Sequence, residues 1–316
     1  MVASQRSVAV DLVRVIGVVA IVAGHVWDQR HFAQAGLYTW HVPVFFLLTG
    51  YLWKSDRTTG FEIRRRARTL LVPYLSWLII VTVVWYTVRA ARGEPFDTHL
   101  LTQLPLGGNS ISRPYSAFWF VTALFFAAIY MRFSERLHPA LPWFVGGIGV
   151  IWCIGAPHAV AMIPESAGTA IAAVIFLAIG RSVRAARDSI TRPALTGVVL
   201  LLPAWWVGWS GATATLNMKG GNLGTPVASV IVAAAISVGL LLIAEGIEQY
   251  LPQWSRTVIL EIAACAIPII LLHTLSLAIT ERYGLPSSKW TFLIALFVPL
   301  AVAAVLRRTP ARRILF

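Results

Sequence analysis

A chain of 316 residues in which 58% are hydrophobic and only 12% are charged cannot cover a water-facing surface, since soluble domains carry about 25% charged residues. With a mean hydropathy of +0.74, the composition excludes an ordinary soluble enzyme and points to helices in lipid. The net charge of +13 does not indicate nucleic acid, because the Lys and Arg residues sit in short loops between apolar runs, where they encode membrane topology.

Taken from the N-terminus, the first apolar run covers roughly 8–27. Others follow at roughly 39–53, 70–89, 116–131, 142–158, 167–183, 195–211, 225–244, 257–280 and 289–306. A span needs about 20 apolar residues, with a range of about 17–25, so the second and fourth runs read as short. Asp11 and Arg14 interrupt the first run and no small-x-small site closes it, so it is kept as the first membrane helix rather than a cleaved signal. The pattern predicts an all-α integral membrane fold, a polytopic bundle of about ten transmembrane helices. It forms a single domain over 1–316 with no appended extracytoplasmic domain. With the N-terminus in the cytoplasm, 18 of the 26 basic residues fall inside, Arg6, Arg187 and Arg313 among them, 7 fall outside, and Arg14 lies within the first helix. That bias predicts that both termini are cytoplasmic. Cys153 and Cys265 both lie in apolar runs, which excludes a disulfide framework.

The chemistry-bearing residues begin in the first helix. A central Asp or Arg costs about 2.5–3.5 kcal/mol on insertion scales, so Asp11 and Arg14 should not face lipid. Arg14 and His25 lie eleven residues apart, about 20° around a helix axis and about 16 Å along it. Asp11 joins the same stripe and is an i,i+3 neighbour of Arg14. The bland reading is a structural ion pair and an interfacial histidine; the functional one is a polar path reaching across the membrane. At the second run, His41 precedes Pro43, which suits a helix's first turn. This places His41 at the level of His25, where it also reads as an ordinary interfacial histidine. In the ninth run, Glu261 and His273 are twelve residues apart, about 120° on a regular helix, and Pro268 lies between them. His273 is therefore the stronger site residue. Three histidines at one level can also bind a metal, but no acidic or Cys ligand completes the set and no metal is predicted. The run Arg64, Arg65, Arg66 and Arg68 is a topology signal whose guanidinium groups also suit phosphate.

In order and spacing, these residues resemble the acyltransferase-3 family of integral membrane proteins, which includes O-antigen and peptidoglycan O-acetylases. The resemblance rests on Asp11-x-x-Arg14 with Gly24-His25, and on His41-Val42-Pro43-Val44-Phe45-Phe46-Leu47-Leu48-Thr49-Gly50, which is similar to the fucose 4-O-acetylase-like branch. It continues in Arg65-Arg66 through Pro73-Tyr74, in Phe118-Trp119-Phe120, and in Ile269-Ile270-Leu271-Leu272-His273. Thr49 stands where Ser is more usual. The resemblance implies transfer of an acyl group, usually acetyl, from cytoplasmic acyl-CoA to a hydroxyl of an envelope glycan or glycolipid, in a multi-pass protein of the inner (plasma) membrane. On that basis Arg65, Arg66 and Arg68 would hold the CoA phosphates and Arg14, paired with Asp11, would guide the thioester. His25 would act as general base or covalent acyl carrier. His41 and His273 would orient His25 or bind acceptor hydroxyls, and Trp119 and Glu261 would contact the acceptor. The expected partners are membrane lipid, the acceptor and envelope-synthesis proteins, with no nucleic acid. A transporter or flippase of a lipid-linked glycan and a structural membrane subunit are the rival classes; acyl-CoA turnover separates them from the enzyme.

Overall fold

Lipid offers a backbone N–H or C=O no partner, so an apolar run must satisfy its own polar groups, and a helix does this within one segment. The computed structural model describes residues 7–316; Arg6 lies outside the described residues. All ten apolar runs contain helix, and no β-strand occurs among the described residues. The main helices are α1 (Val8–Val26), α2 (Pro43–Tyr51), α3 (Thr59–Arg66), α4 (Val72–Ala91), α5 (Trp119–Leu137), α6 (Leu141–Gly155), α7 (Ala167–Ala186), α8 (Pro193–Trp209), α9 (Ala228–Ile247), α10 (Gln253–Ala264), α11 (Ala266–Arg282) and α12 (Lys289–Leu306). Their ends carry ordinary start signals. The hydroxyls of Ser7, Thr58 and Ser288 accept from the first-turn amides of α1, α3 and α12, and Pro43 opens α2.

Five stretches have the length and apolarity of a span: Val8–Val26, Thr59–Ala91, Pro164–Ser189, Ala228–Tyr250 and Lys289–Leu306. The pair α10–α11 makes a sixth if counted as one span. This is fewer than the apolar runs, for stated reasons. Helix α2 has 9 residues, α6 and α8 stop at 15 and 17, and α5 ends in Arg132, Glu135 and Arg136. The exposed surface is what lipid requires. Ile79, Val83, Phe144, Ile151, Val199, Trp206, Ile231 and Phe297 all face outward. Apolar exposure on this scale marks a membrane face rather than a soluble surface. The chain is an all-α integral membrane protein.

Helix α1 is central. Its apolar window is 61% buried, against 22% for α12 on the periphery. The polar stripe of α1 therefore faces protein. Helices α2 and α7 cross at a pair of glycines. A Cβ on Gly50 would lie 2.0 Å from the Leu177 carbonyl oxygen, and one on Gly180 would lie 2.0 Å from that of Leu47. Only hydrogen fits at either position, and the close approach draws α2 inward beside α1. Helices α10 and α11 are bent by 62° at Cys265. Pro268 has no N–H to donate to the Ala264 carbonyl, so the ladder cannot run through the break.

The positive-inside bias leads to a direct test. Single cysteines near Arg187 and near Asn109 should be labelled from opposite sides of sealed membranes, with position 187 cytoplasmic. Labelling of both from one side would overturn that orientation.

Candidate active site

On α1, Asp11 is buried and its Oδ1 accepts from Arg14 Nη1 at 2.7 Å. Pairing lets both charges sit in the bundle, where either alone would be costly. Three helical turns on, the His25 ring meets that of His273, with centroids 5.2 Å apart. His273 is fully buried. Its Nδ1 lies 3.3 Å from the Ile269 carbonyl, and its Nε2 has no hydrogen-bond partner. His41 lies in the turn before α2, with Nδ1 2.8 Å from the Leu37 carbonyl. It reaches the pair through Tyr38, whose ring is 4.8 Å from His41 and 6.0 Å from His25. Among the described residues no three His, Cys, Asp or Glu side chains are grouped to hold a metal ion.

Two cavities share this stripe. One, of about 250 Å³, is lined by Arg14, Arg66, Thr49, Phe45, Phe120 and Phe316, among others. The other, of about 360 Å³, is lined by His25, His41, Tyr38, Trp119, Arg113 and Lys219, among others. Residues close in sequence divide them. Trp119 faces the histidine cavity and Phe120 the arginine cavity; Pro43 faces the first and Phe45 the second. The Phe45 and Phe120 rings meet edge to face at 5.4 Å. These two rings line the arginine cavity, and their near neighbours Pro43 and Trp119 line the histidine cavity.

Of the basic run, Arg66 alone lines the arginine cavity. Its Nε donates to Glu62 at 2.7 Å. Arg65 is 3.9 Å from Glu62 and partly exposed, and Arg68 points outward. Glu62, itself buried, is a hub that also pairs with Arg57 at 3.3 Å and Arg132 at 3.9 Å. The fully buried Arg132 donates to the Lys54 and Ser55 carbonyls at 2.7 and 3.2 Å and pairs with Glu135. Glu261 does not join the histidines: it is exposed and pairs at 2.9 Å with Arg307, the residue that follows α12, on the other side of the 62° bend.

Sequence reasoning did not find Glu62, Arg132, Tyr38 or Lys219 as site residues, and it read Arg113 only as one residue of an outer loop, about 90–115, able to fold over an external site. An i,i+4 spacing of Glu62 and Arg66 was a readable signal. The other positions depend on how loops fold back. Arg113 pairs with Glu281 and donates from Nη2 to the His25 carbonyl at 3.1 Å. Lys219 donates to the Ile111 carbonyl at 2.5 Å, and burial lowers its ammonium to about 8.

Comparison with known proteins gives the family. The acyltransferase-3 family model, described as an acyltransferase domain, matches residues 7–308. The nodulation protein NolL of Mesorhizobium japonicum is 24% identical over 164 residues, which take in 46% of this chain and 41% of that protein. The chain thus spans less than half the length of this curated relative. No solved structure matches.

Proposed function

This chain belongs to the acyltransferase-3 family, and we propose that it moves an acetyl group from cytoplasmic acetyl-CoA to a hydroxyl of an envelope glycan or glycolipid, in the plasma membrane with both termini inside. The observation that carries this reading is the pair of neighbouring cavities along the stripe, one cationic and lined by Phe45 and Phe120, the other histidine-lined beside Trp119 and Pro43. In it, Arg66 holds a CoA phosphate and Arg14 steers the thioester arm toward Phe45 and Phe120. Arg65 and Arg68 add charge at the entrance. Tilting of the two phenyl rings lets the acetyl end pass between them. The acceptor sits in the histidine cavity against Trp119, with His41 and His273 around His25. His25 takes the hydroxyl proton as the new C–O bond forms, and the C–S bond breaks to release CoA thiolate, which is then protonated. A route through an acyl-imidazole on His25 has the same outcome. Envelope-synthesis proteins that deliver or remove the acceptor would dock at that face.

The test is turnover. Purified full chain supplied with labelled acetyl-CoA and an envelope-lipid extract should release CoA and add one acetyl group to an acceptor, read by mass spectrometry. A chain that neither binds nor consumes acetyl-CoA would return the stripe to the transporter reading. Within the enzyme, Arg66→Ala should raise the KM for acetyl-CoA about tenfold, because a charged hydrogen bond contributes about 1.5–3 kcal/mol. Arg65→Ala and Arg68→Ala should each change it less. An equal loss from Arg68→Ala, with folding intact, would move the phosphate site out of the cavity.

A further inference from the structure

The histidine cavity is also cationic, and its two cations come from different loops. Arg113 stands on the chain entering α5, aimed by Glu281 and by the His25 carbonyl. Lys219 stands at the tip of the loop between α8 and α9. That loop is built to hold it in place. Asn217 and Asn222 exchange backbone hydrogen bonds at 2.8 and 3.0 Å across the turn, and the Asn217 side chain accepts from the Gly220 amide at 3.1 Å. Leu216, Met218 and Leu223 on either side are buried in the bundle. Gly221 has a φ of 68° and packs where a Cβ would meet the Pro157 carbonyl at 2.2 Å.

The formal charges around the cavity balance, Arg113 and Lys219 against Glu281 and Asp28, but they are not all paired. Arg113 has Glu281, but no carboxylate pairs with Lys219 among the described residues, and its hydrogen bond goes to a neutral carbonyl. Asp28 lines the cavity as well, yet it forms no ion pair with either cation among the described residues. A half-buried ammonium with only a carbonyl partner has given up hydration without a counter-charge. Ser112, Ser116 and Asn217 add neutral hydrogen-bonding groups to the same wall.

We propose that the acceptor carries an anionic group, a phosphate or a carboxylate near the acylated hydroxyl, that Lys219 and Arg113 bind beside His25. This rests on the acyltransferase reading and narrows its acceptor. The anion comes either from a sugar carboxylate or from the phosphate of a lipid-linked sugar. Both present oxygens that an ammonium and a planar guanidinium recognise.

The experiment uses the full chain in phosphatidylcholine nanodiscs, whose zwitterionic surface adds no net charge. Binding of methyl β-glucoside, methyl β-glucuronide and geranyl phosphoglucose is measured by thermophoresis, with acetyl-CoA binding on the same sample. At least one anionic probe should bind about tenfold or more tightly than the neutral glucoside. The tighter of the two identifies the source. Lys219→Met should bring the anionic probes to within about twofold of the neutral one, and Lys219→Arg should retain the preference. Lack of any preference for charge in the wild-type protein, including failure of every probe to bind, overturns the proposal. So does a preference that survives Lys219→Met. Either result with acetyl-CoA still bound leaves the acyltransferase reading standing, whereas loss of acetyl-CoA binding in the wild type removes that reading itself.

Discussion

Replacing His25 by alanine is expected to cut acyl transfer by about 10²–10⁴-fold, the usual contribution of general acid–base assistance, and by more if the imidazole carries the acyl group. Protein abundance and melting should change little. The His25 side chain faces a cavity and touches His273 and Tyr38 only ring to ring. The structural link at this position, from Arg113, goes to the backbone carbonyl and survives the substitution. Single-turnover rates with labelled acetyl-CoA on folded protein are the measurement. Near-normal specific activity would make His25 a packing residue and end this mechanism. Arg14→Lys is the companion variant. It keeps the charge beside Asp11 but loses the planar fork, so turnover should fall further than insertion.

The largest effect on stability is expected at a residue far from the chemistry. Arg132→Ala should destabilise the bundle by about 3–5 kcal/mol, the cost of breaking a buried ion pair. Arg132 is fully buried, stacks over Trp53 at 4.5 Å, and satisfies two backbone carbonyls as well as the acids Glu62 and Glu135. Its loss leaves those carbonyls and both carboxylates short of a partner. Thermal unfolding in detergent should show a clear drop in melting temperature, with Arg132→Lys recovering only part of it because an ammonium cannot serve the same fork of acceptors. A wild-type melting curve for Arg132→Ala would show that Arg57, Arg66 and Arg181 suffice to hold the two acids.

Much of this architecture was legible in the sequence because the solvent writes it there. Apolar runs in lipid must be helical, and every one of them contains helix. The Asp11–Arg14 pair follows from i,i+3 spacing on a regular helix. The meeting of His25 with His273 needed tertiary structure, since two helices can bring histidines to one level without bringing them face to face. His41 shows the difference: it shares the level but reaches the pair only through Tyr38. Glu261 reads in the sequence as an acceptor contact, but it lies beyond the break at Cys265 and pairs with Arg307. The run Arg65, Arg66 and Arg68 read as one cationic patch. On the helix and the wide turn that carry them these residues point different ways, and Glu62 selects Arg66. Lys219 was illegible because loop closure, which no periodicity reports, sets its place.

The ring pair of Phe45 and Phe120 bears on the energy of the whole cell. A polar stripe that crossed the bundle unbroken would be a conduit for ions, and each elementary charge moved through a membrane potential of 100 mV dissipates about 2.3 kcal/mol. Two phenyl rings in edge-to-face contact set apolar carbon across the stripe at that level. In the proposed reaction the acetyl group passes between the rings. Charge stays balanced only if the CoA thiolate takes the hydroxyl proton from His25 before the thiol withdraws, since an acyl group that leaves a thiolate behind carries one positive charge with it. Turnover would then be indifferent to voltage, and the protein could join a cytoplasmic metabolite to an external hydroxyl without discharging the membrane it sits in.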